Sequence, residues 1–203
     1  MNWLQIQTKE NPQKLFIQEG EQAFSNMDIS QMVQISSQAL LREGIQIHDR
    51  VLIYLPGGVQ MAEIILSCFD IGAIASPISW KMSTNERNSI IKIIQPQLII
   101  TNWEGRKKFN TFSFPLICIE ELPCSSGGCS MRTNEYKKNP GDVCSIILTS
   151  GTTGIPKAVQ LSYSNFETSC SNWNKFLQFE NTDQFLCCLP LHHIGGLAVL
   201  IRS

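Results

Sequence analysis

Short apolar runs alternate with segments of helical periodicity between residues 50 and 119, and this alternation limits the chain to few architectures. Runs rich in β-forming residues predict strands, whereas apolar residues at helical spacing predict helices. We predict strands over 50–55, 73–78, 98–101 and 116–119, and helices over 60–71 and 83–94. Because parallel strands that alternate with helices are covered on both faces, the predicted fold class is α/β, with layered, mostly parallel sheets covered by helices.

In the second half of the chain a polar stretch interrupts the alternation of strands and helices, which then continues. Residues 121–141 are polar and contain several Gly and Pro, which predicts an exposed loop. Beyond the loop we predict strands over 143–148, 158–161 and 184–189, a helix over about 164–179 and a further helix that begins over 196–201. The chain therefore divides into an α/β region (1–120), the loop (121–141) and a last region (142–203).

Composition and charge argue against several classes of partner. The chain has 203 residues, 43% of them apolar, and a formal net charge of −1, which offers no electrostatic footprint for nucleic acid or an anionic membrane. Asp70 divides the best apolar stretch, so no membrane-spanning helix is predicted. Residues 1–7 lack the basic and apolar regions of a signal peptide, and we expect a cytoplasmic protein.

The eight cysteines do not form a recognisable metal-binding pattern. There is no C-x-x-C pair, and the histidines are His48 and the adjacent His192 and His193, so we predict no metal site. In a reducing compartment most of the cysteines should be small buried hydrophobes. Cys187 and Cys188 are adjacent within a predicted strand and should point to opposite faces.

Residues 149–157 carry the strongest chemical signal. They read Thr-Ser-Gly-Thr-Thr-Gly-Ile-Pro-Lys and follow the apolar run 143–148 directly. Glycines let backbone N–H groups approach an anion, hydroxyls donate hydrogen bonds, and Lys157 supplies a positive charge. The string is not a Walker loop, because no Gly-Lys-Ser/Thr closes it. It predicts a loop that binds a polyphosphate.

This string resembles the phosphate-binding signature of the adenylate-forming enzymes, which include acyl-CoA synthetases, luciferases and the adenylation domains of peptide synthetases. Residues 189–197, Leu-Pro-Leu-His-His-Ile-Gly-Gly-Leu, resemble the next motif of that family, which lines the acyl pocket. Residues 69–78, Phe-Asp-Ile-Gly-Ala-Ile-Ala-Ser-Pro-Ile, resemble its early segment, in which a helix ends in Gly-Ala and a strand leads to Pro. The resemblance implies the N-terminal portion of the large domain of such an enzyme.

The resemblance also implies a reaction and a set of ligands. Attack of a carboxylate on the α-phosphate of ATP gives an acyl-adenylate and pyrophosphate, usually with Mg²⁺, and a thiol such as coenzyme A then displaces AMP. The protein mainly positions the substrates and neutralises charge, and no residue of this chain is assigned as a catalytic acid or base. By resemblance the phosphates are held by Thr149, Ser150, Gly151, Thr152, Thr153, Gly154 and Lys157.

The second motif points to the carboxylic acid substrate. His193 aligns with the family's motif histidine and, with Gly195, is expected to line the acyl pocket, while His192 stands where the family usually has an aromatic residue. Residues 189–203 resemble the o-succinylbenzoate–CoA ligases of menaquinone and phylloquinone synthesis, in which an arginine nine residues after the motif histidine anchors a substrate carboxylate. Arg202 occupies that position, although Gly195 departs from the serine often found there.

Members of this family are roughly twice this length or more, so we expect an N-terminal fragment without the C-terminal domain, and no ligase turnover by this chain alone. A separate C-terminal half would then be a partner, and the complete enzyme could form a homodimer. Aryl- and fatty-acyl-CoA synthetases and carrier-protein adenylation domains remain open as alternatives. A non-enzymatic remnant also remains open, and it predicts a large exposed apolar surface.

Overall fold

The computed structural model describes residues 3–109, 114–122, 136–149, 156–180 and 182–202. Its helices are α1 Trp3–Glu10, α2 Asn26–Arg42, α3 Val59–Ile71, α4 Thr84–Ile94, α5 Trp103–Arg106, α6 Tyr163–Leu177 and α7 Ile194–Arg202. Its strands are β1 Leu15–Glu19, β2 Gln22–Ser25, β3 Arg50–Tyr54, β4 Ile74–Pro77, β5 Leu98–Thr101, β6 Leu116–Cys118, β7 Val143–Thr149 and β8 Lys157–Ser162. Among these residues, no helix is both long and apolar enough to cross a bilayer.

A six-stranded sheet in the order β6-β5-β3-β4-β7-β8 forms the centre of the described structure. Strands β3 to β7 pair in parallel with their neighbours, and only β8 runs antiparallel, against β7. The hairpin of β1 and β2 stands apart as a small antiparallel sheet. This mostly parallel, helix-covered arrangement confirms the predicted fold class.

The two faces of the sheet are buried against different helices because successive residues of a strand point to opposite sides. On β3, Val51 and Ile53 belong to the cluster that includes α2 and α3, whereas Leu52 and Tyr54 belong to the cluster that includes α4. Helix α3 is buried along almost its whole length, and so it lies in the middle of the core. The central strands are therefore fixed from both sides.

Helix-end signals that are visible in the sequence determine where α3 and α4 stop and start. Gly72 closes α3 in the left-handed conformation, with φ of 78°, which glycine adopts without the steric penalty of a Cβ. Ser83 caps α4, and its backbone N–H donates to the Glu86 carboxylate, which forms a capping box. Both ends lie where the sequence predicts them.

The strand predicted over 184–189 is wrong. Residues 183–188 belong to no described sheet, and they are exposed. A strand needs a neighbour to accept and donate its backbone hydrogen bonds, and no described strand pairs with this segment. Apolar alternation in a sequence cannot reveal whether such a neighbour is present.

Residues 3–49 form elements that the sequence analysis left unassigned. They make α1, the β1–β2 hairpin and α2, which packs against α3. The start of α2 carries a capping box in which Ser25 and Asp28 exchange hydrogen bonds. The Ser-x-x-Asp spacing resembles the Ser/Thr-x-x-Glu signal of a helix start and could have identified it.

Two buried hydrogen bonds join the last region to the parallel sheet. The Ser145 hydroxyl on β7 donates to the carbonyl of Ala75 on β4 at 3.0 Å, and Ala75 and Ser145 are also the register pair that links the two strands. The Tyr163 hydroxyl on α6 donates to the carbonyl of Phe69 on α3, also at 3.0 Å. Buried polar groups are costly unless paired, so these contacts specify how β7 and α6 dock.

We predict that Ser145→Ala destabilises the protein by about 1–3 kcal/mol, because it leaves a buried carbonyl without its side-chain donor. The matched control is Ser89→Ala on α4, since Ser89 is exposed and donates only to Asn85 within its own helix. The free energy of unfolding from urea titration measures both. Equal losses for the two variants would contradict the role given to Ser145.

Candidate active site

The predicted phosphate loop connects the two antiparallel strands β7 and β8. Thr149 is the last residue of β7 and Lys157 the first of β8; the two are register partners, and the Thr149 hydroxyl lies 3.5 Å from the Lys157 carbonyl oxygen. The Lys157 side chain is exposed. The other predicted phosphate ligands lie outside the described residues: Ser150, Gly151, Thr152, Thr153 and Gly154.

The position of this loop follows from the direction of β7. Strands β3, β4 and β7 run parallel, so their carboxyl ends meet at one edge of the sheet. From β3 the chain adds β4 on one side and β5 on the other, which makes a topological switch point there. Ligands of open α/β sheets bind outside the carboxyl ends at such points. The loop after β7 leaves the sheet at this same edge.

A cleft of about 1510 Å³ opens beside this edge. Among the parts of the chain that line it are the hairpin strand β1, the turn 55–59 after β3, residues 79–81 after β4, part of α6, the segment 183–192 and the end of α7. Neither Thr149 nor Lys157 is among its described lining residues.

The turn after β3 is shaped by Glu19 of β1. Gly58 has φ of 117°, and a Cβ there would lie 2.1 Å from a Glu19 carboxylate oxygen. That carboxylate accepts a hydrogen bond from the Val59 N–H at 3.1 Å, at the N-terminus of α3, where the helix dipole favours a negative charge. Only a glycine at position 58 leaves room for the Glu19 carboxylate. The contact between Glu19 and Val59 holds the β1–β2 hairpin against the turn after β3.

Arg202 lies in the wall of the cleft, at the end of α7. Its guanidinium carbon is 4.7 Å from the centre of the Trp173 ring on α6, a cation–π contact. Its buried Nε atom has no hydrogen-bond partner among the described residues, and neither is Arg202 in an ion pair with any of them. A partly buried guanidinium with unused donors can bind a carboxylate through two parallel hydrogen bonds.

The two adjacent histidines are placed differently. His192 is half-buried and lines the cleft, whereas His193 is exposed and does not, although their ring centres are 4.4 Å apart. Burial lowers the pKa of His192, and neighbouring His193 lowers it further. His192 therefore presents a neutral ring to the cleft near neutral pH. Of the two, it is His192 that contributes to this wall.

The glycines that begin α7 differ in what surrounds them. A Cβ on Gly196 would lie 2.3 Å from the Leu189 carbonyl oxygen and 2.4 Å from that of Pro190, both of which are backbone atoms. A Cβ on Gly195 would meet only the Leu189 side chain, at 2.6 Å from its Cδ1. Gly195 was predicted to line the acyl pocket and does not line the described cleft. Gly196 is the residue that lets α7 approach the segment before it.

An unexpected cluster of cations and aromatic rings supports residues 79–81. Arg87 is 1% exposed, and its guanidinium carbon lies 5.4 Å from the Tyr54 ring centre and 5.0 Å from that of Phe109. The Lys108 ammonium lies 4.1 Å from the centre of the Trp80 ring, which lines the cleft. Arginine is usually exposed, so the sequence did not indicate that Arg87 is buried against aromatic rings.

Large apolar side chains are exposed near the end of α6 and on residues 185–189. Phe176 is 82% exposed and Leu186 88%. The exposed apolar side chains of α6, of residues 185–189 and of the start of α7, which we call together the apolar face, are Trp173, Phe176, Leu177, Phe185, Leu186, Leu189 and Ile194. Exposed apolar surface of this kind is typical of a region that packs against further protein. Within the described part of the chain, no group of three His, Cys, Asp or Glu side chains is placed to hold a metal ion.

We predict that Gly196→Ala lowers the free energy of unfolding by about 1–3 kcal/mol, because backbone carbonyls cannot move aside for the new methyl group. Gly195→Ala is the matched control, since the end of the flexible Leu189 side chain can rotate away. Without such a clash, Ala in a helix stabilises the folded protein by roughly 1 kcal/mol relative to Gly. A larger loss for Gly195→Ala than for Gly196→Ala, measured by denaturant titration, would contradict this packing.

Comparison with known proteins identifies relatives of the whole chain. It is 27% identical over 203 residues to the 2-succinylbenzoate–CoA ligase of Oceanobacillus iheyensis and 25% identical over 202 residues to that of Bacillus mycoides. These matches take in 100% of this chain but only 42% and 41% of the relatives. The chain therefore spans less than half the length of these ligases and corresponds to their N-terminal part.

Solved structures show the same fold. The o-succinylbenzoate coenzyme A synthetase of Bacillus subtilis, in complex with ATP and magnesium ion, matches with a TM-score of 0.89 at 23% identity, over 99% of this chain and 54% of that one. The family model for AMP-binding enzymes matches residues 4–202. The cleft beside the sheet edge suits such an enzyme. The family match covers nearly the whole chain and shows that the chain belongs to the AMP-binding enzyme family.

Proposed function

We propose that the whole protein is an ATP-dependent, AMP-forming carboxylate–CoA ligase, of which this chain supplies the phosphate loop and part of the acyl pocket. The observation that carries the proposal is the family match over residues 4–202. The loop leaves β7 at the sheet edge where α/β proteins bind ligands, which supports the same function. ATP brings Mg²⁺ as its counter-ion, and coenzyme A is the proposed acceptor.

The described residues suggest how the first half-reaction is assisted. Lys157 lies exposed at the end of the loop, free to neutralise charge on the β- and γ-phosphates as pyrophosphate forms. The cleft holds the carboxylic acid so that its carboxylate can attack the α-phosphate, and this positioning removes much of the entropic cost of the reaction. No acid or base on this chain is required, because the carboxylate is already ionised at neutral pH.

Arg202 supports an aromatic dicarboxylate as the substrate, with o-succinylbenzoate as the specific proposal. One carboxylate has to be activated, so the other can be held at a distance from the phosphates by the guanidinium, whose buried Nε has no partner among the described residues. The relatives named 2-succinylbenzoate–CoA ligase act on a substrate of this kind. A long-chain fatty acid would leave the Arg202 donors unpaired against an apolar tail, which is costly.

The apolar face supports the further proposal that residues 1–203 do not turn over alone. Leu186 and Phe176 are more exposed than large apolar side chains usually are on the surface of a complete domain. Residues 183–188 also form no backbone pairing with any described strand. We propose that the part of the relatives' length beyond this chain covers this face, either as a continuation of the same chain or as a separate polypeptide.

Lys157→Ala in the whole protein is expected to lower kcat/KM for carboxylate-dependent pyrophosphate release by about 10- to 100-fold, since a hydrogen bond to a charged group is worth about 1.5–3 kcal/mol. Lys175→Ala, which removes another exposed lysine from α6, is the matched control and should leave the rate unchanged. An unchanged rate for Lys157→Ala would remove its assignment to the phosphates.

Arg202→Lys is expected to raise KM for o-succinylbenzoate by about tenfold or more while altering KM for benzoate less than about twofold, because lysine keeps the charge but loses the bidentate fork. Arg106→Lys is the control, since Arg106 is exposed and paired with Glu121. Thioester formation with each acid measures the effect. An equal rise for both acids would mean that Arg202 supports the fold rather than a second carboxylate.

A further inference from the structure

Helix α6 carries a stripe of side chains that runs from the core to the end of α7. Its members recur at spacings of three and four residues, which places them on one face of the helix: Tyr163, Phe166, Cys170 and Trp173. Tyr163 and Phe166 are buried, and the Tyr163 hydroxyl donates to the Phe69 carbonyl at 3.0 Å. The beginning of the stripe is therefore fixed in the core.

The later part of the stripe lies against the last turn of α7. The Cys170 Sγ donates weakly to the Ile201 carbonyl oxygen, at 3.8 Å. About one turn further along α6, the centre of the Trp173 ring lies 4.7 Å from the guanidinium carbon of Arg202, the residue that follows Ile201. The way α6 packs on α7 therefore sets the indole ring beside the guanidinium.

The contact with Trp173 leaves hydrogen-bond donors of Arg202 unused. The ring attracts the positive charge through its π-electrons and takes the place of no conventional acceptor. A guanidinium carries its N–H donors in one plane, where they match the two oxygens of a carboxylate, and the buried Nε of Arg202 has no partner among the described residues. A carboxylate can therefore bind the group while the ring holds it.

The acidic side chain nearest along α6 does not replace the ring in this role. Glu167 lines a smaller cavity of about 180 Å³ together with Arg202, yet the two form no ion pair. An ion pair would occupy the donors that a substrate carboxylate needs, whereas an indole ring does not compete for them. Trp173 is not among the described residues that line this cavity or the cleft, so it acts on a ligand only through Arg202.

We propose that Trp173 is a positioning residue whose ring holds the Arg202 guanidinium ready for the second carboxylate of an aromatic dicarboxylate. Ordering an arginine side chain costs rotational entropy, and a side chain that is held before binding loses less of it when the ligand arrives. Trp173 thus raises the affinity for a dicarboxylate without touching it. A monocarboxylate that does not reach Arg202 gains nothing from the ring. This inference rests on the proposed function, in which Arg202 binds a substrate carboxylate.

The test is a double-mutant cycle in the whole protein, with Trp173→Leu, Arg202→Met and the double variant. Calorimetric titration in the presence of the unreactive analogue α,β-methylene-ATP gives the Kd of o-succinylbenzoate and of benzoate. We expect Trp173→Leu to raise the Kd of o-succinylbenzoate by about three- to tenfold, the size of a cation–π contact, and that of benzoate by less than about twofold. In the Arg202→Met background the same change should alter the Kd of o-succinylbenzoate by less than about twofold.

Two further variants separate the ring from its surroundings. Trp173→Phe keeps an aromatic ring with a weaker attraction for a cation, so it should raise the Kd of o-succinylbenzoate less than Trp173→Leu does. Trp103→Leu is the matched control, because it removes an indole that is 59% exposed on α5, and it should leave both Kd values unchanged. Circular dichroism establishes that each variant is folded, and Trp173→Phe keeps the test decisive if Trp173→Leu is not.

Any of three results overturns the positioning role of Trp173: an equal rise in Kd for both acids, a rise of the same size in the Arg202→Met background, or no rise beyond that of Trp103→Leu. A ring that only supports the fold, or only packs against further protein, would give the first or the second. Because the readout is binding, a lack of pyrophosphate release with every acid would remove the ligase proposal and leave this coupling measurable. Loss of the coupling would leave the ligase proposal standing.

Discussion

The position of the candidate active site depends on the junction of β4 with β7. A single register pair, Ala75 with Ser145, links these parallel strands, and the buried Ser145 hydroxyl adds a hydrogen bond to the same residue. This junction joins β7 to the sheet, and the contact between Tyr163 and Phe69 joins α6 to α3. If β7 shifted by one residue, its buried side chains would move to the wrong face. The phosphate loop would then leave the sheet elsewhere.

Around that junction the chain assembles one side of a ligand site. The exposed Lys157 ends the loop, and the cleft beside it is bounded by Trp80 and by the guanidinium of Arg202, whose Nε is unpaired among the described residues. Polar groups that are aimed into a cleft without partners are costly to the folded protein unless a ligand satisfies them. The same region also carries the apolar face, which suits further protein.

Sequence patterns predicted the parts of the fold that depend on local chemistry. The alternation of strands and helices, the Gly72 helix end and the Ser83 capping box are set by residues close in the chain. The strand predicted over 184–189 failed because pairing depends on a distant neighbour. Motif resemblance predicts Arg202, His193 and Gly195 at the acyl pocket, and these assignments stay predictions; the described cleft is lined by Arg202 and His192. The burial of Arg87 arises from tertiary packing alone, which one sequence does not reveal.

The most direct test of the central claim is exchange of labelled pyrophosphate into ATP by the whole protein in the presence of o-succinylbenzoate. Exchange reports the reversible formation of an acyl-adenylate without depending on the acceptor thiol. The account predicts exchange that requires the dicarboxylate and Mg²⁺ and is absent with residues 1–203 alone. Release of phosphate instead of pyrophosphate, or no exchange with any carboxylic acid, would contradict the claim that this chain is part of an adenylate-forming ligase.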